Sequence, residues 1–280
     1  MSVFMSIFLG LIQGITEFLP ISSSGHLSII QNLFGLEYAE GEHLLFDVLL
    51  HLGTLVSIIL VYRKELKEML SDTFAMLAGR MDSDSADAEG RLPTSVRTVF
   101  LILVGTLPLF LILPVHGLLE SLFYKTGFIG FALLITGVLL FVSDRISEGR
   151  KTEKTMTVRD VLLIGLAQAI ATIPGLSRAG TTFTVAKARG VRSRYALKFS
   201  FLLSIPAVLG SVLVSLISAI RNGVNWSAIP AYLIGFVVAA VTGYFAIGLV
   251  RRLLEKLQYG KFCYYCFGLG LLAILLSLIL

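Results

Sequence analysis

Residues Gly10–His26 read GLIQGITEFLPISSSGH. The stretch opens as an apolar helix and sets a carboxylate, Glu17, where a membrane helix is driest. At Pro20 it breaks into three serines, a glycine and a histidine. Met1–Leu19 is apolar enough to begin a spanning helix. Leu27–Leu36, on the far side of the break, is far too short to cross about 30 Å of hydrocarbon. A helix, a polar break and a short return helix make a re-entrant hairpin, which is tolerated at depth only where protein buries it or it lines a wet cavity. A second stretch, Gly165–Thr181, reads GLAQAIATIPGLSRAGT and repeats the design with Arg178 instead of an acid. Val161–Ile173, the break PGLSRAG and Thr181–Ala188 form that second hairpin. These two breaks are expected to meet inside the bilayer as one phosphate-handling site.

The rest of the chain fits a membrane around them. Of its 280 residues 56% are hydrophobic, and the mean hydropathy is +0.87. A soluble domain averages about 45–50% apolar. The net charge of +5 does not point to nucleic acid, because no basic patch interleaved with aromatics stands apart from the apolar segments. Cys263 and Cys266 are spaced CxxC but lie inside the apolar run FCYYCFGLGLL, with no second pair, and are read as small packing residues rather than a zinc or redox site. The N-terminus lacks a basic n-region and an A-x-A-like cleavage site and is read as retained.

Six segments are long and apolar enough to span: Leu44–Tyr62, Ser95–Val115 with a kink at Pro108, Gly127–Ser143, Ala196–Ile220, Ile229–Val250 and Phe262–Leu280. Arg63–Thr94, with MDSDSADAEGR at its centre, reads as an aqueous loop, and Asp144–Asp160 as a charged one. The expected fold is therefore an all-α polytopic membrane protein, one membrane domain over 1–280. Its two halves, 1–143 and 161–280, each hold a re-entrant helical hairpin plus three transmembrane helices. A shift of 155 positions aligns Gly10, Leu11, Gln13, Ile15, Ser22 and Gly25 with Gly165, Leu166, Gln168, Ile170, Ser177 and Gly180; a shift of 153 aligns Phe46, Leu49 and Leu50 with Phe199, Leu202 and Leu203. An odd number of spans per half inverts the second relative to the first, and interrupted segments at corresponding positions of inverted repeats point to a midplane site.

Charge sets the orientation. Arg63–Thr94, Asp144–Asp160, Ala186–Lys198 and Arg251–Lys261 fall on one side and hold nineteen of the 23 Lys and Arg residues, while only Lys125 and Arg221 fall on the other. By the positive-inside rule the first side is the cytoplasm. Both termini then face out, the first hairpin dips in from outside, and the site opens toward the extracytoplasmic side.

Gln13 and Glu17, four apart, share a helix face. An ionised carboxylate at membrane depth costs roughly 2.5 kcal/mol or more, so such a residue is functional by default. The plainer alternative is a glutamate buried against Arg178 for packing, which leaves the neighbouring serines and histidine without a reason to be there. Ser22, Ser23 and Ser24 precede His26 at the start of the return helix, where free N–H groups suit a phosphate; one serine is expected to serve only as an N-cap. Serine supplies a nucleophile and histidine a proton shuttle. Ser23 lies three residues before His26, so the two side chains are expected to approach each other. Arg178 offers a planar fork for phosphate oxygens, with hydroxyl donors at Ser177, Thr181 and Thr182. Asp47 and His51 share a face of the first span; they either orient site residues or make core polar contacts, and are not placed in the site.

These residues resemble the integral-membrane undecaprenyl-diphosphate phosphatases linked to bacitracin resistance. The family's E/Q-x-x-x-E motif followed by F-L-P-x-S-S-x-G-H is matched by QGITEFLPISSSGH, and its P-G-x-S-R-S-G motif by PGLSRAG. Ala179 stands where the family usually has serine; that hydroxyl is dispensable here, and the change is compatible with a divergent or archaeal member acting on a different polyprenyl chain. The resemblance covers the whole chain. It implies hydrolysis of a polyprenyl diphosphate to the monophosphate and phosphate, recycling the lipid carrier of cell-envelope glycan synthesis in the plasma membrane. It also implies a divalent cation, Mg²⁺ or Ca²⁺, held near Glu17. The residues it carries over are Gln13, Glu17, Ser23, His26, Arg178 and Thr182. A polyprenyl-phosphate flippase or transporter using the same midplane site is the alternative, since broken inverted repeats are a transporter architecture; an ion channel suits a facing Arg and Glu less well. The partners expected are the lipid diphosphate and membrane lipid, and whether the chain works alone or as a homodimer is not written in the sequence.

Overall fold

The computed structural model describes residues 2–35, 42–80, 92–222, 226–255 and 259–279. Within these the chain is helical: α1 Val3–Thr16, α2 Ser23–Leu33, α3 Glu42–Val61, α4 Arg63–Leu77, α5 Thr94–Thr106, α6 His116–Phe123, α7 Thr126–Ser143, α8 Val158–Ile170, α9 Arg178–Ala188, α10 Ser193–Asn222, α11 Ile229–Glu255 and α12 Phe262–Ser277. Five stretches of the described residues are long and apolar enough to cross a membrane: Thr94–Val115, Thr126–Ser143, Ser193–Val214, Trp226–Glu255 and Tyr259–Ser277. Leu45–Val61 makes a sixth when counted with the helix bent away from it. Each matches one of the six expected spans. Large apolar side chains such as Phe245, 70% exposed, line the outer faces of these helices, where lipid rather than water must cover them. The chain is an all-helical, multi-pass membrane protein.

The helices are interrupted at both expected breaks, the first between α1 and α2 and the second between α8 and α9. Serine caps each return helix: Ser22 Oγ accepts from Gly25 N at 3.2 Å, and Ser177 Oγ from Gly180 N at 3.1 Å. The turns need backbone that most residues avoid, with φ of 67° at Ser22 and 93° at Gly175. Gly175 meets that demand without strain. Ser22 does not, and its side-chain cap helps to hold it there.

Glycine lets the helices touch. A Cβ on Gly10 of α1 would lie 2.6 Å from the Gly235 carbonyl of α11, and one on Gly165 of α8 would lie 2.2 Å from the Gly105 carbonyl of α5. Such backbone-close contacts drive helix association where lipid removes the hydrophobic incentive. The main buried cluster gathers Phe18, Ile58, Leu101, Leu140, Ile164, Phe183, Phe199 and Phe201. Phe18, beside Glu17 in the first break, packs edge-on against Phe201 with ring centroids 5.4 Å apart, so the break is anchored to α10.

Two expectations change. Arg63–Thr94 is not a loop throughout: Arg63–Leu77 is helix α4, bent 80° from α3. Leu66 and Met69 turn inward to the core while Leu70, Phe74 and Leu77 stay exposed, an apolar spacing of three and four that a charge-weighted reading passes over. The acidic run at 81–91 lies outside the described residues. At Pro108 the change is larger than a kink. The α-helical ladder stops at Thr106, and the chain continues as a 3₁₀ helix over Leu107–Val115, because Pro108 and Pro114 cannot donate to an α-helical ladder.

On the side richest in Lys and Arg, Asp160 is fully buried. It completes a capping box with Thr157 and accepts from Lys151 Nζ at 2.7 Å and Arg189 Nε at 2.9 Å. Burial alone would raise its pKa, but these hydrogen bonds outweigh it and hold the carboxyl down at about 2. The cluster ties the start of α8 to the end of α9 and so closes the second hairpin at its base.

Candidate active site

The two breaks meet. Glu17, at the C-terminal end of α1, is buried and receives three side-chain donors. Ser23 Oγ donates to its Oε2 at 2.6 Å and Gln13 Nε2 to the same oxygen at 3.1 Å. Arg178, the first residue of α9, donates through Nη2 to Oε1. One carboxylate thus links both strands of the first hairpin to the second hairpin. Further contacts hold the breaks together: Cys266 Sγ of α12 reaches the Pro20 carbonyl at 3.8 Å, and a Cβ on Gly180 would sit 3.3 Å from Pro20. Cys263 and Cys266 are buried thiols within α12.

His26 takes a different partner from the one its spacing suggests. Its Nδ1 is 2.7 Å from the Ser22 carbonyl and its Nε2 2.7 Å from Tyr265 Oη. A carbonyl only accepts, so Nδ1 carries the proton; in the neutral ring Nε2 then accepts from the tyrosine hydroxyl. The two rings lie parallel, 5.6 Å apart. Both nitrogens are engaged, and Ser23 bonds Glu17 instead. At the first turn of α2 the Ser23 side chain points back toward α1, while His26, one turn on, faces α12.

Of the hydroxyls, Ser22 and Ser177 serve as caps, as one serine of the first break was expected to, and the Ser177 N–H also donates to Thr136 Oγ1 at 3.0 Å. Ser24 lies 3.3 Å from Ser22 Oγ. Thr182 is turned toward α10: its Oγ1 donates to the Arg178 carbonyl at 2.7 Å and meets Ser200 Oγ at 2.5 Å. Among the described residues the buried polar atoms without a hydrogen-bond partner include Gln13 Oε1, Arg178 Nη1 and Thr181 Oγ1. Buried polar groups are almost always satisfied, and an oxygen-rich anion seated here would satisfy the second nitrogen of the Arg178 fork and the Thr181 hydroxyl.

The reading of Asp47 and His51 divides. His51 comes to the site: its Nδ1 accepts from Gln13 Nε2 and stands 3.9 Å from Glu17 Oε2. Asp47 stays outside, accepting from Gln31 Nε2 at 2.9 Å and tying α2 to α3. His51 was legible only as four residues from Asp47; nothing local says that α3 brings it against α1. Tyr265 carried no signal at all, being one aromatic in an apolar run.

A divalent cation fits these donors in one way. Among the described residues no three His, Cys, Asp or Glu side chains converge, so the protein offers no full cage. It offers Glu17 and the unpartnered Gln13 Oε1, two hard oxygens on one helix face. That suits an ion whose remaining ligands come from substrate phosphate and water, as Mg²⁺ prefers.

Residues 6–272 match the family described as "Bacitracin resistance protein BacA". The chain is 37% identical to "Undecaprenyl-diphosphatase" of Carboxydothermus hydrogenoformans over 99% of its length and 98% of the relative's. It is 34% identical to the protein of the same name from Methanosphaera stadtmanae, over the full length of both. A third so named, from Halothermothrix orenii, is 36% identical over 99% of each chain. With both breaks inside the matched span and relatives of this similarity along the whole chain, the protein belongs to the BacA bacitracin-resistance family.

Proposed function

We propose that the chain hydrolyses a polyprenyl diphosphate of the undecaprenyl type to the monophosphate and inorganic phosphate, and so returns a lipid carrier to cell-envelope glycan synthesis. The observation that carries this reading is the chain of contacts from Ser23 through Glu17 to Arg178, which joins a hydroxyl, a base and a phosphate-gripping fork from two separate hairpins. The name shared by the relatives agrees with it. The flippase reading gains nothing from either source.

In the mechanism we favour, Arg178 and Thr181 hold the terminal phosphate with the donors they leave unpaired. Glu17 Oε2, already bonded to Ser23, takes the hydroxyl proton as Ser23 Oγ attacks the terminal phosphorus and the bond to the polyprenyl monophosphate breaks. Water then attacks the phosphoserine. Glu17 returns its proton to Ser23 Oγ, and the water's hydrogens leave on the inorganic phosphate, while His26, fixed between the Ser22 carbonyl and Tyr265, holds the start of α2 in place. Glu17 thus replaces His26 as the base for serine, which alters the expectation drawn from spacing. Gln13, held by His51, keeps the carboxylate oriented, while Ser22, Ser24 and Ser177 shape the two helix starts that face the anion. Glu17 and Gln13 Oε1 would hold Mg²⁺ or Ca²⁺, which supplies neutralising charge for phosphoryl transfer, a reaction that needs chiefly positioning and charge stabilisation.

The architecture is read as an inverted repeat, 1–143 against 161–280, with both hairpins re-entrant. The reciprocal contacts of Gly10 with Gly235 and of Gly165 with Gly105 support it, since each hairpin packs on the other half. Both termini are placed outside the cell, with the site open to the extracytoplasmic side. A cysteine at Lys125 should then react with an impermeant thiol reagent in intact cells and one at Lys154 should not; the opposite pattern inverts the topology. Purified protein should release phosphate from undecaprenyl diphosphate, and a chelator should stop it. Substrate turned over by membranes but not by the pure protein would remove the enzymatic reading.

A further inference from the structure

At the corner where α3 bends into α4, a groove of about 630 Å³ opens against the end of α11. Its polar wall carries Arg63, Lys64, Arg251 and Arg252, and its apolar wall includes Phe245 and Leu249. The Arg251 guanidinium lies over the Tyr62 ring, 4.6 Å from its centroid. The one acid in the lining, Glu65, is paired with Lys198 at 3.7 Å. Among the described residues the side chains of Arg63, Lys64 and Arg252 have neither hydrogen bond nor ion pair. No side chain caps the start of α4, so that helix end adds its partial positive charge. The groove is a concentration of unpaired cations with an oily flank.

Its level in the membrane follows from α4. The 80° bend turns this helix away from the spanning direction of α3, and Leu70, Phe74 and Leu77 lie exposed along one side of it. A helix of this kind lies in the interface with its apolar side toward the acyl chains. Phe245 and Leu249, 70% and 48% exposed, carry the lipid-facing surface of α11 into the groove. A helix lying in the interface sets the cations at its start at headgroup height, with the apolar wall of the groove beside them.

We infer that this groove binds the phosphate headgroup of an anionic phospholipid, its acyl chains lying along Phe245 and Leu249. Free phosphate would use the same cations but has no use for the apolar wall. The test uses the full-length protein, delipidated in a neutral detergent and offered equal amounts of phosphatidylglycerol and phosphatidylcholine, with retained lipid counted by native mass spectrometry. Wild-type protein should retain phosphatidylglycerol preferentially. In Arg63→Gln/Arg252→Gln the preference should fall by about thirtyfold, since each basic residue near a membrane surface contributes about fivefold. The Arg150→Gln/Lys154→Gln variant, equally reduced in charge but away from the groove, should behave as wild type. Three results would overturn the assignment: equal retention of both lipids, an unchanged preference in the groove variant, or displacement of the bound lipid by millimolar inorganic phosphate.

Discussion

Replacing Glu17 with glutamine separates the two things this carboxylate does. As an acceptor it satisfies Arg178, Ser23 and Gln13. As a charge it offsets Arg178 and, in the proposed mechanism, takes the Ser23 proton. Removing one partner of a buried ion pair outright costs about 3–5 kcal/mol. Glutamine keeps the shape and one acceptor oxygen for Arg178, whose side chain is 16% exposed. Its amide nitrogen can donate to Ser23 Oγ, and a flip of Gln13 would turn its unpartnered Oε1 toward the new amide. The stability loss should therefore be smaller, about 1–3 kcal/mol, the scale of one imperfect hydrogen-bonded substitution. The loss of chemistry should be larger. Removing a positioned base costs about 10²–10⁴-fold, equivalent to about 3–5 kcal/mol of barrier. The assay measures both quantities on one preparation: thermal unfolding of the purified protein for the fold, and single-turnover phosphate release at saturating lipid for the reaction. A folded Glu17→Gln protein whose turnover lies within about tenfold of wild type would refute the role given to Glu17. A protein that fails to fold would instead support the packing explanation of the ion pair.

Arg178→Lys keeps the charge but loses the fork, so phosphate release should fall by about 10²-fold or more; retention of most activity would reduce Arg178 to a point charge. Hydrolysis of a substrate made chiral at its terminal phosphorus should proceed with retention, by two in-line displacements through Ser23, and an inverted product would leave Ser23 as a binding residue attacked past by water. Tyr265→Phe keeps the ring stacked on His26 but removes its hydrogen bond, so kcat should drop by up to about tenfold with KM unchanged; identical kinetics would make Tyr265 a packing residue. Asp160→Asn should lower the unfolding temperature through a weakened capping box and two lost ion pairs. Because the folded carboxyl lies at about 2, below its ordinary value of 3.8, Asp160 stabilises fully above about pH 4 and loses that contribution as pH falls toward 2. Wild type and variant should therefore converge in stability only at the acid end, and a gap that persists at pH 2 would contradict the assignment.

The sequence by itself determined the spans, the two breaks and most of the groups within them. Apolar runs long enough to cross lipid are set by composition alone, and Pro20, Pro174 and the serine–glycine clusters interrupt a helix wherever it lies. The cap expected of one first-break serine is equally local, since a hydroxyl at a helix start has a backbone N–H within reach three residues on; Ser22 supplies it, whereas Ser177, expected as a phosphate donor, caps α9. Partners across helices were not legible. Spacing along α2 suggested Ser23 with His26, yet Ser23 bonds Glu17 across the break and His26 bonds Tyr265, 239 residues away. His51 reaches Gln13 only because α3 and α1 are both packed against α11. Thr182, which looked like a second phosphate donor, is bonded to Ser200 because α9 turns that face to α10. The difference is physical. Hydropathy and helix-breaking act within a few residues of their source, whereas the pairing of a buried carboxylate depends on which distant side chains the glycine-close helix contacts bring within about 3 Å of it.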